Sequence, residues 1–301
     1  MANMFFAKIN VNSDIYKLYD NPDILDGILD KIIININQDK SIVLNKEMDS
    51  KNDGDRIKFI SIEKDIDKRY ITGRIIRIYK DDLESYDPNS DDIIKLPTGE
   101  LARYATFYFD VRSELVAFTL GKYFGRNQFC SYLEFLLNEY VEDVSFNVSL
   151  ITDRAGLKEK IGRFKRISRI YVSLVTPNPN VEAFNRMFAA NGQNLKDMNA
   201  HQYGQEFKAS KKGEGLKEDT AFINILVDGV SDGYGKMEVD GIDDSDEEIK
   251  VSSVENYPYK RSVRDTEKNS LSSVQEFGKR FIKGLMSKLR GWYDGQNAGL
   301  F

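Results

Sequence analysis

Short apolar alternations and longer three-to-four spacings share the chain, in an order that predicts mixed α and β structure. Phe5 to Val11 alternates closely enough for a strand. From Pro22 to Asn35 the spacing turns helical, with Ile24, Leu25, Ile28, Leu29 and Ile32 on one face and Pro22 suited to a first turn. Asp49 to Asp55 is a turn, and Ile57–Ile62 and Tyr70–Tyr79 are β-rich runs. Tyr104–Asp110 and Leu115–Thr119 form the clearest hairpin, with polar Arg112, Ser113 and Glu114 between them. A helix over Asn127–Tyr140 follows, with Phe129, Tyr132, Leu133, Leu136, Leu137 and Tyr140 at helical spacing, and then a strand from Val144 to Ile151.

Asp153–Ile161 reads as a short helix and Ile167–Val175 as a strand. Asn180 is placed to cap a further helix running towards Ala200, broken at Gly192. Lys208–Gly215 reads as a polar loop, and Phe222–Val230 is apolar without a period that decides its type. Tyr234–Val239 and Ile249–Val254 read as strands around an acidic loop, Asp240–Glu248. The last element is an amphipathic helix from Leu271 to Tyr293, with Leu271, Val274, Phe277, Phe281, Leu285, Leu289 and Trp292 on one stripe. A capping box is available at Ser273–Glu276 if the helix starts a turn later.

This order predicts an α+β fold of mixed or antiparallel sheets with packed helices, in two lobes, closed by the C-terminal amphipathic helix. The polar stretch Asp81–Gly99 carries Pro88 and Pro97 and reads as a surface excursion. It divides an N-terminal lobe, 1–90, from a larger one, 100–301.

Composition narrows the chemistry. The 301 residues hold one Cys, Cys130, and one His, His201. An intramolecular disulfide is excluded, and a Cys/His zinc site would need carboxylates to replace most of its ligands. Cys130 lies on an apolar helix face and reads as core; His201, in a polar helical tail, reads as solvated. No segment approaches the ~20 apolar residues of a membrane-spanning helix, and the start of the chain is charged too soon for a secretory signal. A cytoplasmic protein without membrane insertion is the expectation. The net charge of −5 supplies no global attraction for nucleic acid, yet counterion release depends on the contacting patch.

Two segments are locally basic. Arg154, Lys158, Lys160, Arg163, Lys165, Arg166 and Arg169 are seven cations in a stretch whose one anion is Glu159, with Phe164 and Tyr171 beside them. Cations interleaved with aromatics suit phosphate contact and base stacking; the alternative is a solvated face paired with carboxylates elsewhere. In the last helix Lys279, Arg280, Lys283, Lys288 and Arg290 stand among no acids from Phe277 to Arg290. Such a face can lie on an anionic membrane or embrace DNA, or simply set cations towards the helix C-terminus.

Other matches carry less. Glu248 and Lys250, with Asp228, Asp232 and Asp240 upstream, have the residue types of a Mg²⁺-dependent nuclease, in which carboxylates hold the metal and a Lys orients water. Asp243, Asp244, Asp246 and Glu247 beside them would repel a phosphodiester in the absence of metal. Asp49–Asp55 opens like a calcium-binding loop, but Lys51 takes a ligand position and Ile60 stands where a bidentate Glu is needed. Gly121–Gly125 lacks the Gly-Lys-Ser/Thr ending of a phosphate loop.

Arg169 to Asn180 reads Arg-Ile-Tyr-Val-Ser-Leu-Val-Thr-Pro-Asn-Pro-Asn. It follows the Phe-Tyr-Phe-Asp-Val-Arg hairpin at 107–112 and precedes Asp-Gly-Tyr-Gly-Lys-Met-Glu-Val at 232–239. These residues resemble an uncharacterised bacterial family of similar length. Their order of elements over Tyr104–Glu255 in turn resembles the RexA-type phage exclusion proteins. The resemblance implies a dimeric cytoplasmic protein that binds DNA largely without sequence preference and acts in anti-phage defence, often with a membrane-bound partner. It brings no catalytic residues.

Together these features lead to an expected function: sequence-independent binding of DNA, or of RNA, by a homodimer that signals to a second defence protein, with no cofactor required. The ten residues expected at phosphate are Arg154, Lys158, Lys160, Arg163, Lys165, Arg166, Arg169, Lys279, Arg280 and Lys283. The rival readings are the Mg²⁺-dependent nuclease and an oligomeric interaction protein that docks through its last helix.

Overall fold

The computed structural model describes the backbone of residues 1–189 and 191–297, and their side chains except at 82–84, 94–98 and 288–297. Strand β1 (Ala2–Val11) is followed by helices α1 (Ile15–Asp20) and α2 (Asp23–Asn35), then β2 (Ser41–Val43), β3 (Arg56–Asp65), β4 (Tyr70–Asp87), β5 (Asp92–Asp110) and β6 (Leu115–Leu120). Next come α3 (Arg126–Tyr140), β7 (Phe146–Leu150), α4 (Arg154–Ile161), β8 (Arg166–Val175), α5 (Val181–Met187), α6 (Gly192–Asp197) and β9 (Gln202–Lys208). The remaining elements are α7 (Ala221–Ser231), β10 (Gly235–Ile242), β11 (Glu248–Ser252), α8 (Ser253–Asn256), β12 (Lys260–Val263) and α9 (Leu271–Asn297).

The strands form two antiparallel sheets. The larger runs β12-β1-β6-β5-β4-β3-β2, with β7 also paired to β1; the smaller runs β11-β10-β8-β9. The fold is α+β, as the element pattern predicts.

Strand alternation gives the large sheet two apolar faces, and each is covered. Phe59, Ile75, Phe107 and Phe118 meet α2 and α3 through Ile32, Phe129, Leu133 and Leu136. Met4, Phe6, Tyr108 and Ala117 on the reverse face meet α9 through Val274, Ile282 and Leu285. Ser270 caps α9 by accepting the Ser273 N–H (3.3 Å), so the helix starts a turn before the Ser273–Glu276 box. In the small sheet one face, carrying Ile170, Val172, Leu174, Met237 and Val239, packs on α4, α5 and α7. Its other face carries Arg169, Tyr171, Lys236, Glu238 and Asp240, which alternate with the buried positions along β8 and β10.

Asp81–Gly99 is not an excursion between lobes. β4 and β5 pair through it as the outer half of one hairpin, from Tyr70 opposite Asp110 to Asp87 opposite Asp92. A division into 1–90 and 100–301 would part these two strands. The sheets divide the chain differently, because β12 returns to pair with β1, Val263 opposite Ala2. The arms of the hairpin are exposed near its tip, so no burial pattern marks them in the sequence.

The two sheets meet at β1. The side-chain amide of Asn178, in the turn after β8, accepts from Val11 N–H (2.7 Å) and donates to Ile9 O (3.1 Å). Asn10 donates to Gly233 O (3.0 Å). From α1, Tyr16 donates to Ala200 O and Tyr19 to Pro177 O, both at 2.7 Å. Gly233 has φ +85°, and a Cβ there would lie 2.7 Å from Lys8 Cβ; at Gly235 it would lie 2.0 Å from Ser173 O. The Asp-Gly-Tyr-Gly run thus lets the strand pass closely beneath its neighbours. No helix among the described residues is long and apolar enough to cross a membrane.

Candidate nucleic-acid interface

The first basic segment occupies α4, the turn after it and the start of β8. Most of its cations are held by the protein itself. Arg154 points into the helix layer, with Nη2 2.5 Å from Asp228 Oδ1 on α7. Arg163 pairs with Glu159 one turn back. Lys165 reaches Asp246 at 2.6 Å, so the acidic loop after β10 neutralises this patch. Arg166 donates to Gly213 O (2.9 Å) and Ser210 O (2.6 Å), fastening the loop after β9. Arg169 lies on the open face of the small sheet between Glu206 (2.5 Å), Asp240 (2.9 Å) and Glu238 (3.5 Å), and Glu206 first, with Asp240, holds its guanidinium firmly protonated. Lys158, Lys160 and Arg166 have no carboxylate at salt-bridge distance among the described residues, and of these Arg166 is held by backbone carbonyls. Burial beside Arg154 pushes the Lys158 ammonium down, with Asp228 acting in the opposite sense.

The second segment is different. Lys279, Arg280 and Lys283 stand on the exposed side of α9, opposite the buried stripe of Val274, Ile282 and Leu285. None has a carboxylate at salt-bridge distance among the described residues. The Arg280 guanidinium lies over the rings of Phe277 and Phe281, at 5.0 and 4.8 Å from their centroids. These contacts hold a charge-bearing plane against an apolar body and leave it at the surface. Dipole compensation acts within the last turn of a helix, and α9 continues to Asn297, so it does not account for cations at 279–283. The side chains of Leu289, Trp292, Lys288 and Arg290 lie outside those described.

The two segments are carried by different sheets. α9 packs on the large sheet, and α4 and β8 belong to the small one. The structure therefore separates the ten expected phosphate ligands into a set largely spent on intramolecular pairs and a set of three with open charges.

The expected nuclease residues are also parted. Asp228 and Asp232 sit in the helix layer with Arg154 and Arg186. Asp240 and Lys250 lie opposite each other in register on the sheet's open face. Lys250 there pairs with Glu238 at 2.9 Å, and Asp240 with Arg169. The small sheet stands between the two groups of carboxylates, so they do not converge on one ion. Among the described residues no cluster of His, Cys, Asp and Glu has the grouping of a metal site. His201 is exposed just ahead of β9 rather than in a helical tail, and Cys130 is buried under the large sheet.

Sequence reasoning missed the groups that organise this region. Asp228 lies in an apolar run whose type the sequence leaves undecided, and nothing nearby announces Arg154 as its partner. Asn178 sits in the Pro-Asn-Pro turn, which signals a turn and not a backbone mimic.

No curated protein matches the sequence. A family model described as "Domain of unknown function (DUF4747)" matches residues 22–281, from the head of α2 into the middle of α9. With strands of both sheets inside that match, the protein belongs to the DUF4747 family.

Proposed function

We propose that the protein binds nucleic acid largely without regard to sequence, through the outward face of α9. The observation that carries this reading is the trio Lys279, Arg280 and Lys283, exposed and without carboxylate partners among the described residues in an otherwise acidic chain. Their spacing, four residues from Lys279 to Lys283 with Arg280 between, presents three cations along one side of a helix, the arrangement that tracks a phosphate backbone. The aromatic seat of Arg280 adds a planar group suited to stacking. Cations at 154–169 play a lesser part, because binding phosphate there would first break existing pairs. The resemblance to RexA-type phage exclusion proteins supports placing this activity in anti-phage defence, in a dimer that passes the signal to a partner.

The test is binding to labelled duplex DNA, single-stranded DNA and RNA across a salt series. Affinity should fall steeply with salt. Lys279→Glu combined with Lys283→Glu should weaken binding by about tenfold or more on unrelated sequences and reduce the slope of log affinity against log salt by about 2. Charge reversal at Lys165 and Arg166 should have a smaller effect. Equal affinity of the α9 variant and the parent protein would overturn the assignment.

A further inference from the structure

A second site lies where the sheets meet, along an edge of β7 that no strand covers among the described residues. The phase of the β1–β7 pairing fixes which groups face that edge. Ile9 stands opposite Val148 in register, and its N–H turns away from β7 to donate to Glu114 O (2.9 Å). Residues 9 and 148 are therefore a non-hydrogen-bonded pair, and Val148 directs its own N–H and C=O away from β1. Phe146 and Leu150, two residues to either side, do the same. α3 closes part of this edge from one turn of helix: Asn138 accepts the Phe146 N–H (2.8 Å) and Glu134 Oε2 accepts the Val148 N–H (2.9 Å). The Val148 carbonyl and the Leu150 N–H face the same way, away from β1, and both residues are buried.

Val148 and Leu150 line a cleft of about 330 Å³. That is near the lower end of small-molecule sites, about 300–1,000 Å³. Glu134 and Cys130 of α3 form one wall, and Ser173, Gln202 and Lys236 of the small sheet form the other. Val175 and Val254 add apolar surface against which a flat ring can lie. Along the edge the order of groups is acceptor, acceptor, donor: the Glu134 carboxylate, the Val148 carbonyl, the Leu150 N–H. The complement is donor, donor, acceptor, which is the order of N2–H, N1–H and O6 on guanine. Adenine presents N6–H beside the bare N1 and offers the carboxylate no donor. Lys236 is exposed at the rim and has no carboxylate at salt-bridge distance among the described residues, so its ammonium is placed for a phosphate. Burial pushes the Glu134 carboxyl up against the pull of the Val148 N–H, and donors from a ligand would offset that cost.

We propose that this cleft binds a guanine nucleotide, with the base read by Glu134 and the open edge of β7 and the phosphate held by Lys236. The experiment is calorimetric titration of the full chain with GMP, guanosine and AMP. GMP should bind at least about tenfold more tightly than AMP, because adenine offers the Glu134 carboxylate no donor beyond those it already has from Val148 and Asn147. Lys236→Ala should weaken GMP by about tenfold and leave guanosine unchanged. Glu134→Gln keeps an oxygen for the Val148 N–H but turns an amide donor on the base, and should erase the preference for GMP over AMP. An unchanged thermal unfolding midpoint shows that these variants fold. Absence of GMP binding at millimolar concentration, equal affinity for GMP and AMP, or unaltered GMP binding in both variants would each overturn the proposal. The α9 charge variants should bind GMP normally, so this reading and the nucleic-acid reading fail separately.

Discussion

Asp228→Ala should destabilise the fold by about 3–5 kcal/mol, the cost typical of leaving a buried charge without its partner. Asp228 is 5% exposed and stands between two guanidiniums, Arg154 at 2.5 Å and Arg186 at 3.9 Å, while Asp232 approaches Arg186 at 3.8 Å. Four charges thus cancel in the helix layer that covers the small sheet. Removing one carboxylate leaves two guanidiniums facing one acid, in surroundings too dry to screen them. Because the loss falls on an uncompensated charge and not on packing, Arg154→Met with Asp228→Leu should recover much of it. Denaturant unfolding of the single and double variants gives the coupling energy directly. Additive losses would mean that the two residues act independently. The same result bears on function: a strongly coupled Arg154 is part of the core and is not available to phosphate.

Elements with one buried face were readable because burial imposes a period. The hairpin of β5 and β6, helix α3 and helix α9 all stand where the apolar spacing predicts them. α7 was harder, because it is apolar nearly all round and buried, so periodicity alone could not tell helix from strand. β9 is an edge strand, with Tyr203 and Phe207 turned to the core and polar residues on the other side; its glycine and charges give no strand signal. β4 and β5 run past the core into solvent, where alternation carries no penalty and leaves no trace. Local charge density was legible; charge pairing was not. Seven cations in sequence suggested a surface for phosphate, but their partners Asp228, Asp246, Glu206 and Asp240 lie between 37 and 81 residues away. The cleft beside β7 was equally hidden, since its ligand groups are backbone atoms and any sequence in that register presents them. Glu134 and Asn138, one turn apart on α3, could at most have been read as the wet side of a helix.

Asn178→Ala is expected to cost about 2–6 kcal/mol, from two buried backbone groups left bare at about 1–3 kcal/mol each. Asn178 is 5% exposed, and its amide copies a peptide: the oxygen takes the Val11 N–H at 2.7 Å and the nitrogen gives to Ile9 O at 3.1 Å. It stands beside β1 where β6 has ended, since the last β6 pairing is Leu115 with Lys8. One side chain therefore continues the large sheet and fastens the small sheet to it. The adjoining prolines, Pro177 and Pro179, fix the turn that presents it, and Tyr19 holds that turn through Pro177 O. Asn178→Asp separates the roles of the two atoms. It keeps the acceptor for Val11 but sets a second oxygen against the Ile9 carbonyl, so at neutral pH it should be at least as damaging as alanine. As pH falls and the carboxyl gains a proton, a donor returns, and the deficit relative to the parent should shrink. Unfolding midpoints of both variants measured at acid and neutral pH decide the matter. A deficit that is the same at both pH values would mean that the Ile9 contact contributes nothing, and that Asn178 joins the sheets through Val11 alone.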